Sequence, residues 1–219
     1  MYMTLRAEDG HVFDAYVAGE ETARAGIVVI QEIFGVNSHI RDVADFFAAQ
    51  GYRVIAPALF DRVQAKVELG YTQKDVQKGL ELRSEISQEQ VLQDIAAAVQ
   101  ALDKQSSVGV VGYCWGGTLA WLAACQNARV SAASCWYGGG IAQVANEQTA
   151  VPVQMHFGER DKSIPASDIE LIRKAQPGVE MFVYAGVDHG FGCDQRGSYD
   201  KAATELARLR TISFFAKHL

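Results

Sequence analysis

The chain has 219 residues, 49% of them hydrophobic and 21% charged, with a formal net charge of −6. That length and balance suit one soluble α/β domain over residues 1–219, and scattered basic residues on an acidic chain argue against a nucleic-acid partner. No apolar run reaches the ~18 residues needed to span a bilayer, and Met1–Gly10 lacks the apolar stretch of a signal peptide, so a cytoplasmic protein is expected, with no membrane partner.

Met3–Leu5 and Val12–Val17 flank Glu8-Asp9-Gly10 and predict an N-terminal β-hairpin with Asp-Gly as its turn. Ala25–Ile30 is a continuous apolar run, the pattern of a strand buried on both faces of a parallel sheet. Beyond it, Ile40, Val43, Phe46 and Phe47 recur at helical spacing over 38–50, Gly51 closes the helix, and Tyr52–Ala56 is a strand stopped by Pro57. Residues 58–87 have weak periodicity and many Gln, Lys and Glu; they read as an excursion with one or two short helices, a candidate lid. Gln88–Leu102 is a clear amphipathic helix.

A β-branched run from Val108 then enters Gly112-Tyr113-Cys114-Trp115-Gly116-Gly117, and a helix follows over Thr118–Cys125. Strand, tight turn and helix with Gly-x-Cys-x-Gly in the turn is the nucleophile elbow of the α/β-hydrolase fold, with Cys in place of Ser. A nucleophile there adopts strained backbone angles, and small neighbours let strand and helix approach. The next N–H, that of Trp115, faces the same space and can donate to an oxyanion, while the helix N-terminus favours a thiolate.

Further strands are expected over Val130–Tyr137, Val151–Phe157 and Gly178–Ala185, with helices over 165–176 and Tyr199–Lys217. Strands alternating with helices imply a doubly wound, mainly parallel sheet with helices on both faces, whose ligands bind beyond the carboxyl ends of the strands. Glu32, Cys114, Asp161 and His189 each follow such an end. Cys114, Asp161 and His189 are in the nucleophile–acid–histidine order of α/β-hydrolases. Asp161 would hold one ring nitrogen so that the other faces sulfur.

Plainer readings stand beside these. Asp161 also fits a loop cap, Asp168 lies within the following helix, and Asp188 would point away from the His189 ring. His156, inside a strand, reads as a satisfied core residue, and His11, His39 and His218 as surface or element-end residues. Glu32 follows an apolar strand, where a carboxylate needs a partner; it either serves the thiol or caps the helix at 38–50. The Ile33 N–H is the natural second oxyanion donor. Phe34, Tyr113, Trp115, Trp136, Tyr137 and Phe191 surround the strand ends as pocket or core, Cys193 lies four residues beyond His189, and Cys125 and Cys135 are inert packing. The four cysteines make no metal-ligand spacing.

Gln31-Glu32-Ile33-Phe34-Gly35-Val36-Asn37, the elbow, Gly158-Glu159-Arg160-Asp161, His189-Gly190-Phe191 and Arg210-Thr211-Ile212-Ser213-Phe214-Phe215 together resemble the dienelactone hydrolase (carboxymethylenebutenolidase) family over nearly the whole chain. The resemblance implies Cys114 as nucleophile, His189 as base and acid, Asp161 as its orienting partner, Glu32 as the carboxylate that helps form the thiolate, and Ile33 and Trp115 as oxyanion donors. It implies opening of a small ester or lactone through a thioester, no cofactor and no metal, and a monomer. Dienelactone-cleaving members hold the substrate carboxylate with two arginines. Here the position after the histidine is Cys193 and that in the excursion aligns with Val76, leaving Arg83, Lys78 or Arg196 as substitutes. The alternatives are a thioesterase or general carboxylesterase, or a non-catalytic redox or ligand-binding protein using Cys114 as a reactive thiol.

Overall fold

A computed structural model describes residues 1–219. Its elements are β1 (Tyr2–Arg6), β2 (Val12–Ala18), β3 (Ala25–Ile30), α1 (Ser38–Ala49), β4 (Arg53–Pro57), α2 (Gln73–Ser84), α3 (Gln88–Gln100), β5 (Ser107–Tyr113), α4 (Trp115–Gln126), β6 (Val130–Trp136), β7 (Val153–Gly158), α5 (Ala166–Ala175), β8 (Glu180–Tyr184) and α6 (Lys201–His218). Eight strands form one sheet in the order β1-β2-β4-β3-β5-β6-β7-β8. β1 and β2 pair antiparallel around Gly10, β2 meets β4 antiparallel, and every later pairing is parallel. This is the α/β-hydrolase fold expected from the alternating pattern.

Every residue of β3 is buried, as its unbroken apolar run requires, because helices cover both faces of the sheet. α3 and α4 pack against one another on one side, while α1 and α6 meet on the other through Phe47 and Phe215, whose rings lie 6.1 Å apart. α4 is buried around nearly its whole circumference, which explains why its sequence is apolar without amphipathic pattern.

The segment after β4 carries a short 3-10 turn at Leu59–Arg62 and then α2, started by a capping box between Thr72 and Asp75. It clamps the loop that follows β3. Leu69 N–H donates to the Phe34 carbonyl at 2.9 Å, and the Asn37 amide donates to the Leu69 carbonyl and the Tyr71 hydroxyl, each at 3.0 Å. Gly79 faces the Ile33 carbonyl so closely that a Cβ there would overlap it.

Several boundaries differ from expectation. α4 begins at Trp115, directly after Cys114, and β6 stops at Trp136 because Tyr137 turns to a positive φ of 38°. β8 is confined to five residues at the sheet edge, and α6 starts at Lys201 behind an Asp200 cap that accepts from the Ala203 N–H.

Candidate active site

The turn between β5 and α4 forces Cys114 to φ 56° and ψ −117°, a conformation that a non-glycine residue occupies only when its surroundings hold it there. Those surroundings are glycines. A Cβ on Gly112 would collide with the Gly116 carbonyl, and one on Gly116 with the Ile30 and Gln31 carbonyls. Gly116 therefore lets the α4 N-terminus sit against the end of β3, bringing the Glu32–Ile33 loop beside the elbow. The Cys114 side chain is left half-buried at the sheet top.

β7 ends in the loop carrying Asp161, and β8 in the loop carrying His189. Asp161 is 2% exposed; its Oδ1 accepts from the Ser163 N–H at 2.8 Å and its Oδ2 lies 2.6 Å from His189 Nδ1. Burial disfavours the His189 imidazolium, but hydrogen bonds to Asp161 and to Cys114 outweigh it and raise His189 to about 10. The Cys114 thiol, the His189 imidazole and the Asp161 carboxylate thus come together. Asp188 instead accepts from the backbone N–H of His189 at 2.6 Å, and Asp168 lies in the first turn of α5.

Two N–H groups flank the elbow. Trp115 is the first residue of α4, so its N–H has no partner in the helix, and the Ile33 N–H has no backbone acceptor. Cys114 and His189 open onto a cleft of about 590 Å³ that Arg83, Trp115, Thr118, Gly140, Gln143 and Ser163 also line. A larger hollow of about 690 Å³ between α3 and α4 carries no nucleophile.

Glu32 is wholly buried and does not cap α1; Asn37 does, accepting from the Ile40 N–H at 3.2 Å. The partner that Glu32 needed is Arg196, whose Nη1 donates to Oε1 at 3.1 Å. Against its own burial, Arg196 is held charged by Glu32, Tyr137, Cys114 and Cys193. Cys193 is buried near Glu32, and burial followed by that carboxylate pushes its thiol up to about 11.

Of the residues expected as pocket or core, Phe34, Tyr113, Trp136, Tyr137 and Phe191 are each exposed by 2% or less; the last four pack against one another as the floor under the site, while Phe34 meets Tyr71 edge-on. The Tyr137 ring meets the His189 imidazole edge-on at 5.3 Å. His156 is the satisfied core residue expected, bonded to Tyr184 and Gln154 and lowered to about 3 by burial.

His39 is an element-end residue, in the first turn of α1, but it does not lie at the surface. It is 1% exposed, because the first turn of α1 points inward at the strand ends, and burial holds it below its ordinary value. Lys78 lies on the outer side of α2, paired with Glu81. Arg196 was one of three substitutes in the sequence; its engagement with Glu32 had no local signal, since 164 residues separate them.

The model of the Dienelactone hydrolase family matches residues 13–219. A Synechocystis sp. protein provisionally named a carboxymethylenebutenolidase is 38% identical over 212 residues, covering 88% of this chain and 86% of its own. The carboxymethylenebutenolidase of Pseudomonas putida is 31% identical over 225 residues, covering 98% and 95%. The crystal structure of a protein provisionally named a dienelactone hydrolase from Klebsiella pneumoniae superposes with a TM-score of 0.85 at 29% identity, over 99% of both chains. No helix is long and apolar enough to cross a membrane.

Proposed function

Because the chain belongs to the dienelactone hydrolase family and is a carboxylic ester hydrolase, we propose that it opens a small ester or lactone through a thioester at Cys114. The observation that carries this reading is the alignment of a strained Cys114 with His189, whose other ring nitrogen lies 2.6 Å from a buried Asp161 carboxylate.

The chemistry follows from that line. Cys114 Sγ, as thiolate, attacks the ester carbonyl carbon, and the carbonyl oxygen takes up the electron pair. The N–H groups of Ile33 and Trp115 receive that oxyanion, and they cost no reorganisation because the loop after β3 and the α4 N-terminus already hold them. The tetrahedral centre expels the alcohol oxygen, which takes the proton from His189 Nε2. His189 then removes a proton from water, and the hydroxide attacks the thioester, releasing the acid and restoring the thiolate–imidazolium pair. Asp161 fixes the tautomer throughout. Glu32 is the carboxylate that assists thiolate formation, with Arg196 balancing its charge.

Arg83 gives the cleft its positive wall, its guanidinium carbon 5.8 Å from the Trp115 ring centre. This favours an ester that carries an anionic group, with Arg83 in the place of the excursion arginine absent at Val76. Pre-steady-state hydrolysis of an aryl ester tests the reading: a stoichiometric burst of phenol that disappears in Cys114→Ala supports it, and unchanged turnover in that variant refutes it.

A further inference from the structure

Behind the line of Cys114 and His189 lies a second cluster that ester hydrolysis does not use in full. One ligand-type atom each from Glu32, His39 and Cys193 lie within 4.8 Å of one another, and all three residues are buried. They come from three separate elements: the loop after β3, the first turn of α1, and the loop after β8. We propose that Glu32, His39 and Cys193 form a binding site for a divalent cation with affinity for sulfur and nitrogen, of which Zn2+ is the type.

Two of the three groups are incomplete without such a ligand. Glu32 Oε2 and His39 Nε2 are buried and have no hydrogen-bond partner. Leaving buried polar atoms unpaired costs roughly 1–3 kcal/mol each, and here two of them belong to residues of the same cluster. Their other atoms are held from outside, as ligand atoms in metal sites are. His39 Nδ1 lies 3.5 Å from Asp194 Oδ1, an arrangement that favours the proton on Nδ1 and a free lone pair on Nε2. Arg196 anchors Oε1 of Glu32 and leaves Oε2 free.

The charges also balance. On binding, the Cys193 thiol proton leaves to water, so Glu32 and Cys193 present two negative charges to a dication, while Asp194 and Arg196 offset one another. One nitrogen, one sulfur and one carboxylate oxygen suit Zn2+ in a tetrahedral site with water as fourth ligand, whereas Mg2+ and Ca2+ call for oxygen ligands. An ion here takes the free oxygen of Glu32, and on the proposed catalytic role of that residue it slows hydrolysis.

Co2+ titration of the Cys114→Ala protein tests this without the nucleophile's thiol. The expected result is one equivalent bound with a near-ultraviolet sulfur-to-cobalt band and tetrahedral visible bands, bleached by Zn2+. Cys193→Ser should remove the near-ultraviolet band. Asp194→Asn, at an exposed position that leaves folding intact, should weaken binding roughly tenfold or more. No band at stoichiometric Co2+, or a band unchanged in Cys193→Ser, overturns the site. Co2+ binding without Zn2+ inhibition of the wild-type esterase would support the site and count against the catalytic role of Glu32 instead.

Discussion

Arg196 Nη1 donates to Glu32 Oε1 at 3.1 Å, tying the loop after β8 to the loop after β3 across the top of the sheet. Glu32 is fully buried whereas the Arg196 side chain keeps 21% exposure, so the arginine is the member of the pair that reaches solvent.

Removing the arginine leaves a buried carboxylate unpaired. Arg196→Gln should therefore destabilise the protein by about 3 kcal/mol, and adding Glu32→Gln should restore much of that loss. Urea denaturation of the two variants and the wild type reads this directly; a double variant as unstable as the single one would contradict the pairing. Esterase activity should stay low in both.

Asp161→Asn should fold but lose kcat by about 10³–10⁴-fold. The Asn carbonyl can still accept from the Ser163 N–H, so the loop stays in place, but its amide faces His189 Nδ1 and imposes the wrong tautomer. Kinetics with an aryl ester, checked against circular dichroism, measure the effect. A loss confined to KM would contradict this role.

His189 contributes stability in one direction of pH. Its folded value, about 10, lies above the ordinary histidine value of 6.5, so the contribution is complete below about pH 6.5 and is lost as pH rises toward 10. The denaturation free-energy difference between wild type and His189→Gln should be largest at pH 6 and shrink steadily toward pH 10. A difference that grows with pH would rule out the charged imidazole.

Arg83→Met should separate substrates by charge. KM for an ester bearing a carboxylate should rise about tenfold, the equivalent of 1.4 kcal/mol, while that for a neutral aryl acetate stays unchanged. Equal effects on both would mean that Arg83 supports Trp115 and not the substrate.

Gly112→Ala should be poorly tolerated, because its methyl group overlaps the Gly116 carbonyl inside the elbow; a cost of about 3 kcal/mol is expected. Gly178→Ala, with open space around it, should be near neutral and serves as the control.

The elbow and the order Cys114, Asp161, His189 could be read in the sequence because each lies in a short stretch whose local chemistry has few solutions. The buried strand β3 was equally plain, its apolar run leaving no polar face. What escaped was everything set by distant contacts. His39 occupies a helix start where a surface residue is usual, and only the placement of α1 against the strand ends buries it. Arg196 sits among polar loop residues that carry no pattern, so its engagement with Glu32 depends on how two loops meet. The aromatics could not be divided between pocket and core, since a floor and a lining have the same composition.

The most direct test of the central claim is intact-mass analysis of the protein quenched during turnover of an aryl acetate, with peptide mapping of the product. A transient gain of one acetyl group, mapped to Cys114, absent from Cys114→Ala and accumulating in His189→Gln only if thiolate still forms, is the predicted result. Rapid turnover with no acyl group on Cys114 at any time would contradict it.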